Sequence, residues 1–482
     1  MHRLLPTITL ACASVLLCLL SACSDSGDTL QQIQSRGVLK VATRNSPTTY
    51  YIDRDGANGF EYALAGLLAE DLGVDINVQI AFTLDSLFEL LTRGEADLAA
   101  AGLTLTESRA SRFTHSAAYY KLRPQVVYVA GTERPATLAE MAGRKVVVLA
   151  DSSHVDELRR LQREEIPELE WEEVAGADTM ELLEMLDSGS AELAIIDSNE
   201  YEVQRSLYPR MKVALDLLPE QERDMVWYLA PGPDTERLQT YIDQFFLRLK
   251  EDGTLARLRE QYFGHTEGVS RMSSHTFNKN MKSTLPKYKK LIQQVALEYQ
   301  MEWQFLAAVA YQESHWDPKA TSPTGVRGLM MLTNQTAKEV GVSNRIDPQQ
   351  SLRGGARYLK NIIRRLPKSI REPDRTWLAL AAYNIGIAHL EDARVLTERS
   401  GGNPNLWQDV MERLPLLQKS SHYRNSRYGY ARGAQAAHYV QNIRFYQSIL
   451  NWQDISDNKP LPPLKIEDYL PEVLRGINLS AL

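Results

Sequence analysis

The sequence predicts a multidomain chain, with a two-lobed α/β domain followed by a mainly α-helical domain. Three observations carry this. Short apolar strands alternate with amphipathic helices from Gly37 to about residue 264. One helix–turn–strand layout occurs twice within that stretch. From Pro286 to Trp452 strand signals are scarce, and apolar residues return at helical spacing. A chain of 482 residues is long enough for two or three independent cores.

Taken in order, VLKVAT reads as a short strand, FEYALAGLLAEDLGV as an amphipathic helix ended by Gly73, and DINVQIAF as a second strand. SLFELLTRGEADLAAAGL (86–103) and MELLEMLDSGSAELAIIDS (180–198) then share one layout: a helix, a glycine (Gly94, Gly189), a turn and an apolar strand. Two readings stand open. Any two αβ units look alike to this degree, or the chain holds two similar lobes whose strand ends face a cleft. Ligands of such sheets bind outside the carboxyl ends of the strands. The α/β domain is expected over 37–264. Residues 265–285, polar and rich in Ser, Asn and Lys, read as an interdomain linker. The helical domain is expected over 286–455. It opens with Tyr288, Leu291, Val295 and Tyr299 at helical spacing, and TWLALAAYNIGIAHL is a second strongly apolar helix. The tail, 456–482, carries Pro460, Pro462, Pro463 and Pro471 and is expected to wrap the surface.

Apolar residues make up 44% of the chain and charged ones 24%, an ordinary globular balance, and the net charge is -7. That balance argues against nucleic acid as a partner, since such binders show a basic face. The first 22 residues read as a secretory signal, with His2 and Arg3 before an apolar run too short for an ordinary membrane span. Leu20-Ser21-Ala22-Cys23 resembles the bacterial lipobox, which implies a diacylated Cys23 at the mature start; plain cleavage nearby or an uncleaved anchor are the other readings. The other two cysteines, Cys12 and Cys18, lie inside the signal, so a disulfide framework is excluded. Residues 23–36 would form a lipid-anchored tether. The resemblance to bacterial lipoproteins implies a periplasmic protein, and Ser24 after the cysteine favours the inner leaflet of the outer membrane.

The helix FLAAVAYQ raises a chemical question. Leu306, Val309 and Ala310 precede Glu313 by seven, four and three residues, so all four share one stripe. A carboxylate on the buried face is costly unless it is protonated or hydrogen-bonded. Desolvation raises its pKa, which suits a general acid near neutral pH. A buried ion pair with Arg327 or Arg353 is the structural alternative. A loop punctuated by Asp317-Pro318, Ser322-Pro323, Gly325 and Gly328 follows, and Asp317 reads as a turn residue.

QESHWDPKATSPTGVRGLM resembles the catalytic signature of lytic transglycosylases with a goose-type-lysozyme-like fold. Ala382-Tyr383-Asn384-Ile385-Gly386 and Tyr439-Val440-Gln441-Asn442-Ile443 are similar to that family's two later blocks, in the same order. The resemblance implies that Glu313 is a single catalytic acid–base cleaving between N-acetylmuramic acid and N-acetylglucosamine to a 1,6-anhydro product. No second carboxylate, cofactor or metal is then required, in contrast to paired-carboxylate glycosidases. It further implies that Ser314 neighbours the acid, that Tyr383 orients Glu313 by a hydrogen bond, that Asn384 is structural or supports substrate, and that Tyr439 positions the carboxyl or the sugar. Met331 departs from the pattern, since many relatives carry Gln after Gly-Leu-Met. Trp316 is expected either to pack or to stack on a sugar ring.

The α/β domain shows no P-loop, no GxGxxG after a strand, no nucleophile elbow and no metal-ligand cluster. Its stretch GLTLTESRASRFTHSAAYY resembles a segment of periplasmic amino-acid-binding proteins. There, an arginine clamps an α-carboxylate, a task that suits a planar fork of donors. Arg109 would fill that role, Thr104 would add a hydroxyl, and Asp197 would receive an α-ammonium. The ligands implied are free amino acids or murein stem peptides; a vestigial lobe pair is the alternative. The two modules in this order resemble the membrane-bound lytic murein transglycosylase F family. Two other functions are carried beside it, a hydrolytic muramidase and a non-enzymatic cell-wall or amino-acid binding lipoprotein.

Overall fold

Each echoed unit supplies a strand to a sheet of its own. The structure, a computed structural model, describes residues 28–53, 56–205, 207–219, 221–263, 271–322 and 325–457. The signal stretch, Cys23, Pro323 and the tail beyond 457 lie outside these residues. The described chain divides into two units, one of 28–44, Glu61–Leu122 and Glu222–Gly253, the other of Asn45–Phe60, Arg123–Gln221 and everything from Thr254 on.

In the first unit, Val38–Arg44 pairs in parallel with Asp75–Ala81 and with Leu98–Ala99, and Tyr228–Leu229 closes the edge antiparallel to Leu98–Ala99. The helix Leu84–Thr92 buries Leu84, Leu87, Phe88 and Leu91 on one stripe, and Thr83 and Ser86 form a capping box at its start. In the second unit the order is Met211–Asp216, Pro124–Val129, Leu193–Asp197, Val146–Leu149, Glu172–Val174, parallel over the last three strands. The helix Thr179–Asp187 carries its own capping box, Asp178 with Glu181. Both echoed helices end at a left-handed glycine, Gly94 with φ 67° and Gly189 with φ 77°, a conformation that an L side chain resists. The echo is therefore a shared backbone device as well as a shared pattern.

No strand follows Tyr228–Leu229 among the described residues. The helical region centres on Trp303–Ser314, where every residue from Phe305 to Tyr311 is buried. Ala307, Ala308 and Ala310 keep it slim enough for neighbours to close on every side. The longest neighbour is Gly433–Asp457.

The expected linker differs from what is observed. Arg271–Ser283 is a helix, and its Phe277 is fully buried in the helical core. The Phe277 ring stacks on Tyr446 at 4.6 Å and meets Tyr311 edge-on at 4.6 Å. Polar composition hid this element: among its described side chains, Phe277 and the half-buried Met281 are what it offers the core. The second lobe also packs on the helical domain within one unit. Val203 joins the helical core, and the buried Arg444 donates to Glu260 Oε1 at 2.7 Å and to the Gln261 carbonyl at 3.2 Å.

Phe277→Ala is expected to destabilise the helical domain by about 3–5 kcal/mol, the range for emptying an aromatic core position. Denaturant unfolding followed by circular dichroism checks it; a loss below about 1 kcal/mol would mean that the helix is peripheral.

Candidate active site

Glu313 is the penultimate residue of Trp303–Ser314, and the helix ends abruptly behind it. His315 and Trp316 both take left-handed backbone, φ 52° and 60°. Two such non-glycine residues in succession cost about 1–3 kcal/mol each and need support. The support is the Trp316 indole, which is fully buried and donates Nε1–H to the Ala307 carbonyl at 2.8 Å. Trp316 is thus a packing residue and presents no ring to a sugar. Ser314 Oγ lies 3.0 Å from the Ala310 carbonyl and 2.9 Å from that of Leu329, fastening the helix end to the following loop.

That loop is fitted to the helix Pro348–Arg365. A Cβ on Gly328, whose φ is 87°, would lie 1.8 Å from the Arg345 carbonyl oxygen, so only glycine passes there. Leu329 and Met330 are fully buried, the Met330 amide donates to Ser351 Oγ at 3.1 Å, and Met330 packs where Gly355 lacks a side chain. Met331 follows half-buried with left-handed backbone, φ 44°. Asp317 is exposed, and its Oδ1 accepts from the Lys319 amide at 2.9 Å, the turn that its place before Pro318 suggests.

Tyr439, on the helix Gly433–Asp457, donates its hydroxyl to Glu313 Oε1 at 2.5 Å. Burial pushes the Glu313 pKa up from 4.5 to about 7, while the Tyr439 hydrogen bond pulls it the other way. The residue keeps part of its surface open, as an acid that meets a substrate must. The ion-pair alternative is not what the fold builds, since Arg353 instead pairs with Glu298 at 2.6 Å. Tyr383 departs from expectation. Its hydroxyl donates to the Met330 carbonyl at 3.1 Å and not to Glu313. The loop turns that carbonyl inward and claims the hydroxyl first. Tyr383 still senses the carboxyl, since the Glu313 charge, after burial, contributes to raising the phenol's pKa. Asn384 is exposed near the end of Asp374–Ile385.

The α/β candidates fall in different units. In the first, the half-buried Arg109 donates Nη1–H to the Thr104 carbonyl at 3.3 Å and lies over the Phe88 ring at 5.1 Å. In the second, Asp197 Oδ1 lies 3.5 Å from His154 Nε2 and has no hydrogen-bond partner among the described residues. Ser152 Oγ and Asn199 Oδ1 are buried and likewise have no hydrogen-bond partner among the described residues. Sequence reasoning missed Ser152, His154 and Asn199. All three follow the carboxyl ends of the parallel strands Val146–Leu149 and Leu193–Asp197, so the strand-end rule already applied to Asp197 contains the signal for them.

Residues 39–265 match the family model of bacterial extracellular solute-binding proteins, family 3, and residues 290–404 match the transglycosylase SLT domain. A protein of Ectopseudomonas mendocina (strain ymp), "Membrane-bound lytic murein transglycosylase F", is 46% identical over 93% of this chain and 92% of its own length. Its namesake in Saccharophagus degradans (strain 2-40) is 44% identical over 89% of this chain and 85% of its own. The chain belongs to the membrane-bound lytic murein transglycosylase F family. Among solved structures, an ancestral arginine-binding protein bound to arginine aligns with a TM-score of 0.42 at 22% identity, over 47% of this chain and 99% of its own. In this member of the transglycosylase F family Tyr439 lies beyond the matched SLT segment, so the hydroxyl on Glu313 comes from a helix that the domain match leaves out.

The raised pKa has a consequence for stability. A carboxyl whose folded pKa lies above its unfolded value favours folding fully below about 4.5, and that contribution is lost as pH rises through about 7. Glu313→Gln removes the ionisation. At pH 8 the variant should be more stable than wild type by about 1–3 kcal/mol, and the gap should close toward pH 4. Thermal unfolding at both pH values measures it; a gap independent of pH would contradict the shift.

Proposed function

We propose that this protein is a murein lytic transglycosylase in which Glu313 is the single acid–base. The observation that carries this reading is the Glu313 carboxyl, raised to about 7 by burial and touched by the Tyr439 hydroxyl. Near neutral pH a large fraction of such a group is protonated, ready to give its proton to the glycosidic oxygen between N-acetylmuramic acid and N-acetylglucosamine. The bond from the anomeric carbon to that oxygen breaks, and Glu313 is left ionised. It then takes the proton of the muramoyl 6-hydroxyl, whose oxygen bonds to the anomeric carbon. The 1,6-anhydro ring closes, Glu313 is reprotonated, and no water enters the balance. Tyr439 holds the carboxyl in place. Ser314 and Tyr383 act through the loop, fastening Leu329 and Met330 so that Met331 and the exposed Asn384 face the glycan.

The α/β domain is proposed to sense amino acids or murein peptides. Arg109 with Thr104 suits a carboxylate. Asp197 suits an ammonium group, and its oxygen, which like those of Ser152 and Asn199 has no partner among the described residues, supports a polar ligand in the second lobe. Membrane attachment is read from the family. Among the described residues no helix is long and apolar enough to cross a membrane. A lipid on Cys23 in the outer membrane's inner leaflet is the proposed anchor.

Digestion of purified murein followed by mass spectrometry is the test. Wild type should release anhydro-ended fragments, each one water lighter than a hydrolytic product. Glu313→Gln should lower the rate by about 10³-fold or more while the fold persists. Reducing ends from wild type would indicate a hydrolytic muramidase, and retained activity in the variant would remove Glu313 from its role.

A further inference from the structure

Between residues 268 and 297 the chain carries no Asp or Glu, yet it holds Lys279, Lys282, Lys287, Lys289 and Lys290. This is unusual in a protein whose net charge is -7. The helices Arg271–Ser283 and Leu285–Glu298 carry these lysines, four of them exposed and Lys289 half-buried. None of the five forms an ion pair among the described residues. A cluster of like charges that the fold does not neutralise creates a local positive potential that attracts anions.

The cluster also has a shape. A cavity of about 420 Å³ lies against Lys282, Lys289 and Lys290, with Leu285, Leu450 and Trp303 among its walls. The Lys289 ammonium stands 4.6 Å from the centre of the Trp303 ring, which holds one cation at the wall without neutralising it. One acid, Asp454, also lines the cavity, and its Oδ2 accepts from Gln304 Nε2 at 3.1 Å. The balance of three lysines against one aspartate favours an anion, and the apolar walls favour one with a carbon skeleton. Trp303 opens the helix whose penultimate residue is Glu313. Ten residues separate them, or about 15 Å along the axis. The cavity is thus apart from the reacting carboxyl but within reach of the same polymer.

We propose that this cavity docks an acidic peptide, the carboxylate-bearing stem of the murein strand being cleaved. The inference rests on murein as the substrate. A negatively charged enzyme repels a negatively charged polymer over most of its surface, and the lysine face is where that repulsion reverses. The lysines act on capture and play no part in bond cleavage.

The test uses the full chain with Lys282→Gln, Lys289→Gln and Lys290→Gln combined, surface changes that leave the core intact. Half-saturation on intact murein sacculi should rise about tenfold, with the rate at saturation unchanged. The salt dependence of half-saturation should flatten. Murein whose stem carboxylates have been amidated should be captured by wild type as weakly as native murein is by the variant. Equal half-saturation and salt dependence in both chains would overturn the proposal. So would a loss that persists in full on amidated murein, or one seen only on vesicles of anionic phospholipid. Co-sedimentation of the inactive Glu313→Gln chain with sacculi, with and without the three lysine changes, reads docking alone. If wild type cleaves nothing, that assay still decides the docking site, and the failure belongs to the proposed reaction.

Discussion

The chemistry proposed for the end of the Trp303–Ser314 helix depends on the desolvation of one carboxyl. Burial moves Glu313 from 4.5 to about 7, a difference of about 3 kcal/mol between its two protonation states. The Tyr439 hydroxyl works against burial by favouring the carboxylate. Burial alone would hold the proton too tightly for its transfer to the leaving oxygen. An arginine in place of Tyr439 would strip it away altogether. Arg353, one of the two arginines that sequence offered, is engaged by Glu298. The carboxyl is left with a neutral partner, as one that gives and retakes a proton near neutral pH requires.

A desolvated acid needs a rigid surround, and the backbone beside it is held under strain. His315, Trp316 and Met331 adopt left-handed backbone without being glycine. Each is stable because something adjacent is locked: the Trp316 indole on Ala307, the Leu329 carbonyl on Ser314, the Met330 carbonyl on Tyr383 and the Met330 amide on Ser351. Such positions concentrate where function over-determines the fold. In this surround the Ser314 and Tyr383 hydroxyls serve the loop, and the loop in turn serves the acid.

What the sequence disclosed follows from how local the information is. Glu313 was legible because Leu306, Val309 and Ala310 define its face within two turns of one helix. The paired αβ units were legible because Gly94 and Gly189 mark the same left-handed turn. Tyr439 is 126 residues from Glu313, and no spacing connects them. It entered through resemblance to a family pattern. Such a pattern names a residue without aiming its hydroxyl, which is why Tyr383 was expected on Glu313 and is found on Met330. The helix Arg271–Ser283 was hidden because, among its described side chains, one phenylalanine alone is fully buried. Ser152 and Asn199 were hidden because an ordinary serine or asparagine becomes notable only when its buried oxygen lacks a partner.

The most direct measurement is the ionisation of Glu313 itself. Carbon-13 labelling of the glutamate side chains, with Glu313→Gln to identify its resonance, follows that one carboxyl through a pH titration of the full chain. The account predicts a midpoint near 7, set by burial against a tyrosine hydroxyl. A midpoint near the ordinary glutamate value of about 4.5 would contradict it: Glu313 would be solvated and ionised at neutral pH, with no proton to give.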